Sequence, residues 1–538
     1  MHSFAINDSS KRLATITLTS WLLLLLVSVM IPQRISYDPA WGFTALKEFM
    51  NGTTPSVNHL TSPAPEDLSR DTTRWIYWWP PSSQFLVYPL MRTGLTLEQA
   101  VRLIVLFCIG FGALGWSIWV SRFDLPLSWK IALATGLPWM RYASNTLFRY
   151  STETFVFGFA PWILLATALL AQRWKSGKTT RAAVAATGIL FALSYWIKYT
   201  LVFIPIGCAL YLTFQAARSG KRRQLFELAF AIGSLIFGVF SLNLVNWFLS
   251  KQLNPISATL HPSFRWEDLF FAFSFFPMAL ADANSFWKFA FMHPAYGLFT
   301  KFPNAASIVK GTSMWLGWVG LPGVGWIIWS IAHRRRGHKE TDLSTVCALT
   351  AFCLILALFI VSRVPVYESR YIAAAGIAIL PLCLQTLSST KPGWKKIVFS
   401  TMAAFYVWLP LIGGAAAIGV HAAKGRFFGL RPDLSDVIPK DLQAGKNEDN
   451  VWVVTDPRHA LQIRGRTIII VDQNLRTYRS SKPLSVSLIL SPDIERNGYG
   501  ERVRKSFPQV ASWEKRQLEG TALIEWTAEI RTSKTDES

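Results

Sequence analysis

The apolar residues of this chain are gathered into long blocks divided by short basic patches. Inside a bilayer, backbone N–H and C=O groups find no water. A spanning segment is therefore a helix of roughly 20 apolar residues that satisfies its own hydrogen bonds. Eleven blocks qualify: 13–32, 99–121, 128–140, 154–172, 182–195, 200–217, 224–248, 313–332, 343–362, 371–387 and 397–420. The third and fifth are short for a full span. Of 538 residues, 51% are hydrophobic and only 16% are charged, against about 25% charged in ordinary soluble proteins. A soluble multidomain protein is excluded, and so is disorder. No small-residue cleavage site follows the first block (Val29-Met30-Ile31-Pro32-Gln33), so it reads as an uncleaved anchor.

Lysine and arginine bias orients the spans. With the N-terminus in the cytoplasm, the cytoplasmic segments carry 19 Lys/Arg in 55 residues and the opposite-side segments 15 in 155. Every alternation agrees, and dropping the third or fifth span alone would break the agreement. The net charge is +22, of which +15 belongs to the cytoplasmic segments. Most of the excess is a topology signal, so a nucleic-acid partner is excluded despite the basic composition. The expected location is a plasma (inner) membrane crossed many times. The five cysteines all fall inside apolar blocks, without metal-ligand spacing, and read as small packing residues.

The expected fold is an α-helical polytopic membrane protein of about eleven transmembrane helices, with a C-terminal extracytoplasmic α/β domain. The membrane part is 1–420 and the outer domain 421–538. In the latter, 451–455, 467–471 and 484–490 read as short buried strands, and 457–463 and 500–506 as helices between them. Two outer loops, 33–98 and 249–312, are too long to be plain connectors. The second is dense in aromatics (Phe264, Trp266, Phe270, Phe271), which suits helices lying in the headgroup layer.

Five features stand at outer helix mouths. Asp38, in Tyr37-Asp38-Pro39, lies just outside the first span and opens an amphipathic stretch running to Gly52; it is either an interfacial carboxylate or a functional acid. Trp78-Trp79-Pro80-Pro81 predicts an extended, proline-stiffened approach to the second span. Arg149 and Glu153 flank the mouth of the fourth span; Arg149 either neutralises Glu153, four residues on, or shares a site with it. Lys198 stands alone between two apolar blocks, either snorkelling to the interface or holding a lipid phosphate. Arg370 and Tyr371 pair a guanidinium with a phenol in a manner suited to phosphate, while Arg363 and Glu368 offer a plain ion pair. All five fall on one side of the membrane, which points to a shared outer cavity. Arg102, in span two, is the charged group to check, and a transporter or flippase of lipid-linked saccharides is the rival reading it keeps open.

The order of these features resembles the glycosyltransferase C superfamily of polytopic membrane enzymes. It is similar to the dolichyl-phosphate-mannose protein mannosyltransferases and the bacterial aminoarabinose transferases. The matches are the first-loop acid Asp38; Pro80 and Pro81 leading to Gly94 and Ala100-Val101-Arg102; Glu153 opening span four; Gly188 running on to Lys198-Tyr199-Thr200; and Arg370-Tyr371 before a late span. Together they cover about residues 13–388. Trp79 stands where relatives carry a histidine, and Asp38 is single where some have an Asp-Glu pair, so the resemblance assigns the superfamily and no subfamily. It implies a polyprenyl-phosphate-linked sugar donor and membrane lipid as partners. It assigns the catalytic base to Asp38; beside it Glu153 is expected to orient the acceptor or help bind a metal, and Lys198, Arg370 and Tyr371 to bind the donor phosphate. Trp79 and Arg149 would line the acceptor side of the cavity. A divalent metal, if used, would fall to Asp38 and Glu153.

Overall fold

The computed structural model describes residues 8–29, 34–140, 142–143, 147, 149–177, 181–252, 325, 328–329, 343, 345–353, 373–424, 450–470, 475–491, 494–495, 498–519, 521 and 523–531. All but three residues of expected span 313–332, half of 343–362 and the aromatic loop from 253 to 312 lie outside them, as do Arg370, Tyr371 and the side chain of Arg149.

Helices lie over the other expected spans. They are α1 (Asp8–Val29), α4 (Leu97–Ser121), α5 (Leu127–Gly136), α6 (Glu153–Ser176), α7 (Arg181–Ile197), α8 (Phe203–Ser219), α9 (Arg222–Ser250), α10 (Ala373–Ser389) and α11 (Trp394–Lys424). Among the described residues, four segments are long and apolar enough to cross a membrane: Leu97–Ser121, Glu153–Ser176, Tyr199–Ser219 and Arg222–Ser250. Span 128–140 differs from expectation. Its α-helix has ten residues before a 3-10 turn at Leu137–Trp139, a rise of about 15 Å, or half the hydrocarbon thickness. Pro138 closes the α-helix, because it cannot donate to the ladder.

Without a hydrophobic driving force between helices in lipid, association rests on close packing and shared hydrogen bonds. Both devices are present. Gly112 of α4 lets the carbonyl of Phe157 in α6 approach so closely that a Cβ there would stand 2.6 Å from that oxygen. Indole N–H groups staple neighbouring helices: Trp116 donates to Phe157 O at 3.1 Å, Trp119 to Ala378 O at 3.0 Å and Trp174 to Glu227 Oε2 at 2.6 Å. Charges within spans are locally matched. Arg102 pairs with Glu98 at 3.1 Å, one turn away, and Glu227 with Arg223 at 2.9 Å. All five cysteines are buried among these apolar helices.

The segment expected as the first outer loop is a structured unit. It holds α2 (Tyr37–Met50), a β2–β3 hairpin (His59–Ala64 with Asp67–Trp75) and α3 (Ser82–Arg92). The expected extended approach after Pro80 and Pro81 is instead a helix: α3 begins directly after Pro81. Proline suits the mouth of a helix, where its missing N–H has no partner to lose. Two-residue strands β1 (Arg34–Ile35) and β4 (Arg149–Tyr150) pair in parallel.

Residues 450–531 form a five-stranded sheet in the order β6-β5-β7-β9-β8. Strands β5 (Asn450–Val454), β6 (Thr467–Ile469) and β7 (Leu484–Leu490) lie where the sequence predicts strands, with helices α12 (Pro457–Ala460) and α13 (Tyr499–Lys505) between and after them. β8 (Glu514–Gln517) and β9 (Ile524–Ile530) add an antiparallel edge whose outermost strand is exposed along its length and bears Glu514, Lys515 and Arg516, charges that discourage edge-to-edge association.

Gly112→Ala should destabilise the helix bundle by about 1–3 kcal/mol, because the Cβ must displace backbone as well as the Phe157 ring. Gly233→Ala, in open space on α9, should be neutral or slightly stabilising. Thermal melts in detergent read both, and equal midpoints for the two variants would contradict the close-packing account.

Candidate functional site

The site begins with chain direction. Ser36 is extended (φ −76°, ψ 164°) and its N–H bonds Tyr150 O at 2.9 Å, prolonging the β1–β4 pairing. The register sets Ile35 beside Tyr150. Three residues beyond each, Asp38 and Glu153 occupy the first turns of α2 and α6. Two carboxylates far apart in sequence thus open two helices leaving one small ribbon. A helix N-terminus carries partial positive charge, which favours an ionised acid there. Pro39, next to Asp38, costs little because first-turn N–H groups have no helical acceptor.

Glu153 and Lys198 form a buried ion pair; their side chains are only 4% and 5% exposed. Lys198 Nζ also donates to Thr152 Oγ1 at 3.1 Å. The sequence left Lys198 either to snorkel to the interface or to hold a lipid phosphate. The fold turns it inward, on an extended residue between α7 and the 3-10 turn at Tyr199–Val202.

The segment bearing Trp79 packs against the same place. Tyr199 Oη donates to Tyr77 O at 2.8 Å, and Ser82 Oγ to Ile197 O at 2.9 Å. The Ser83 and Tyr150 hydroxyls are 2.6 Å apart. Trp79 itself is half-buried in the turn between β3 and α3. Asp38, Glu153, Lys198 and the Trp79 turn are therefore carried by segments that touch one another.

Sequence reasoning missed the polar supports. Asn246 of α9 accepts from Trp75 Nε1 at 2.9 Å and donates to Tyr199 Oη at 3.3 Å. Its only sequence signal is an amide inside an apolar helix. The larger omission is the contact of α2 with the C-terminal sheet. Lys47 Nζ donates to the carbonyls of Ala460 (3.4 Å), Leu461 (2.9 Å) and Ile463 (2.6 Å), the orphaned acceptors past α12. Trp41 and Ala45 pack with Trp452, Val454 and Ile463. Tyr37 lies beside Asp456, and burial with that neighbouring charge raises its phenol far above the ordinary range. Arg466 grips Asp71 at 2.7 Å, and Asp67 accepts from Ser481 N–H at 2.9 Å. One short helix thus bears Asp38 at its start and the sheet along its length.

Among the described residues, no group of three or more His, Cys, Asp and Glu side chains could hold a metal ion.

No protein-family model matches the sequence, and no curated protein matches it. Solved structures do match in fold. ArnT from Cupriavidus metallidurans bound to undecaprenyl phosphate is similar with a TM-score of 0.53 at 12% identity, covering 97% of this chain and 98% of that one. The apo form of the same protein gives 0.50 at 12% identity, covering 96% and 98%. A weaker likeness, 0.48 at 12% identity, is to the Archaeoglobus fulgidus oligosaccharyltransferase in the apo form, covering 97% of this chain and 75% of that one. The chain shares the fold of that ArnT structure, and among its described residues are four helical segments long and apolar enough to cross a membrane.

Removing either partner of the Glu153–Lys198 pair strands a buried charge. Glu153→Gln or Lys198→Met alone should each cost about 3–5 kcal/mol, and the double change should recover most of that. Additive losses in detergent melts would show the two act separately. Burial pushes the Glu48 carboxyl up to about 7, against the pull of the Thr61 N–H bond. The folded state then keeps a proton that the unfolded state has lost. Stability should fall by about 1–3 kcal/mol as pH rises from the usual carboxylate range to 7. Glu48→Gln should flatten that slope; a wild-type profile already flat would refute the assignment.

Proposed function

We propose that the protein is an integral membrane glycosyltransferase that moves a sugar, with inversion, from a polyprenyl-phosphate donor to an acceptor outside the cytoplasm. One observation carries this reading. The β1–β4 pairing starts the Asp38 and Glu153 helices side by side, in a fold shared with ArnT, which is solved bound to undecaprenyl phosphate. Eleven spans, a cytoplasmic N-terminus and a sheet domain on the outer side complete the proposed architecture, supported by the helix positions and the basic bias of the connecting segments.

A sugar on a lipid phosphate is already activated, so the protein must deprotonate the acceptor and hold the departing charge. Asp38 takes the proton as the acceptor oxygen attacks the anomeric carbon. The bond from that carbon to the phosphate oxygen breaks on the opposite face, leaving the polyprenyl phosphate. Lys198, Arg370 and Tyr371 hold the phosphate. Glu153, as counter-ion of Lys198, fixes where that ammonium sits. Trp79 and Arg149 face the acceptor. With Glu153 already matched by Lys198, the described residues do not assemble a divalent-metal site, and no step here passes through one. The flippase reading is weakened, since its one deep cation, Arg102, is paired with Glu98 on its own helix.

Purified protein in nanodiscs, given a panel of labelled polyprenyl-phosphate sugars, tests this reading. Asp38→Asn should lower transfer or donor hydrolysis by about 10²–10⁴-fold while donor binding persists. A fully active Asp38→Asn protein that inserts and melts like its parent would sink the base assignment.

A further inference from the structure

Helix α2 lies between two cores. Ala40, Phe43 and Leu46 belong to the core of the helix bundle, with the Phe43 and Tyr150 ring centroids 5.4 Å apart. Trp41 and Ala45, one turn apart, belong instead to the core shared with the C-terminal sheet, beside Trp452, Val454 and Ile463. Tyr37, one turn before Trp41, packs against that same core. Positions 37, 41 and 45 thus form one stripe of α2 against the sheet, and Asp38 adjoins its first member.

An apolar stripe sets how a helix is turned about its axis. It resists sliding along that axis poorly, because apolar contacts have no direction. Lys47 supplies the missing direction. An ammonium has three N–H donors, and this one finds three carbonyls, of Ala460 (3.4 Å), Leu461 (2.9 Å) and Ile463 (2.6 Å). The stretch bearing those carbonyls is itself tied down. Before it, Asp456 accepts the Arg458 N–H at 2.9 Å; after it, the Trp452 N–H bonds Arg466 O at 2.8 Å. From Lys47 back to Asp38 is about 14 Å of one helix, so a shift at one end is carried to the other. At the Asp38 end the β1–β4 pairing has two residues in each strand, which is marginal by itself.

We propose that Lys47 is a positioning residue: by fixing α2 on the C-terminal sheet it sets where Asp38 stands, and the sheet domain takes part in transfer by holding the base. The effect on transfer rests on the transferase reading above; the hold of Lys47 on the Asp38 turn does not.

The test uses full-length protein in nanodiscs and compares Lys47→Met with Arg466→Gln. The second variant loosens the same seam elsewhere, since Arg466 holds Asp71 and Leu68 O of the hairpin and not α2. Lys47→Met should lower kcat roughly tenfold or more, as misplacement of a reacting group does, with donor KM within about twofold of the parent. Arg466→Gln should lower the melting temperature yet leave kcat within about twofold. Amide hydrogen exchange over residues 38–46 should quicken in Lys47→Met and stay at the parent rate in Arg466→Gln. Should Lys47→Met fail to fold, Lys47→Gln, which keeps two N–H donors, carries the same comparison. An unchanged kcat in the Lys47 variant, or an equal loss of kcat in both variants, would overturn the proposal, as would unchanged exchange over 38–46. If the parent turns over no donor, or Asp38→Asn stays fully active, the transferase reading or its base falls. Exchange then judges the hold of Lys47 on the Asp38 turn by itself.

Discussion

A four-residue pairing is the tie that sets where the segment after α1 meets the helix bundle. The parallel pairing of Arg34–Ile35 with Arg149–Tyr150, continued by the Ser36 bond to Tyr150 O, joins the exit of the first membrane helix to the mouth of α6. From that ribbon α2 and α6 both start, with Asp38 and Glu153 in their first turns. The hairpin, the Trp79 turn and the C-terminal sheet are then stacked on α2 or on segments touching it.

Polar groups recur wherever the apolar helices need a fixed geometry. A buried ion pair gains little net stability over apolar packing, because desolvation offsets most of the attraction. Glu153 and Lys198 are better understood as a pair that holds an ammonium at one place between α6 and α7. The indole staples act similarly. Apolar faces in lipid have no preferred register, whereas an N–H aimed at a neighbouring carbonyl has one. Lys47, donating to three carbonyls past α12, does the same between helix and sheet.

Much of this was legible in the chain. The membrane helices are spelled by unbroken apolar blocks, and the α2 helix by the amphipathic stretch from Asp38 to Gly52. The three buried strands β5, β6 and β7 read as apolar runs. Strands β8 and β9 did not: Glu514–Gln517 is all polar, and Ile524–Ile530 mixes glutamate with its apolar positions, so only pairing, of β9 to β7 and of β8 to β9, makes them strands. Pro80 and Pro81 read as an extended approach, because local sterics do not reveal that a helix begins on the next residue. The Asp38 and Glu153 positions were visible as isolated acids at helix mouths; their adjacency was not, since it depends on a two-residue pairing with no propensity of its own.

Lys198 marks the boundary between the two kinds of information. A lone lysine between apolar blocks predicts a polar position near the membrane surface, whatever the packing around it. Whether it points to water or inward depends on a partner 45 residues earlier, and that is a matter of how α6 and α7 lie together. The sequence alone determined which segments are apolar enough for the bilayer, which side is basic and where acids stand at helix ends, because each follows from local solvation. Tertiary structure alone decided which of those charges meet, because meeting requires chain segments distant in sequence to share one register. It likewise made α2 the common support of the acid and the sheet.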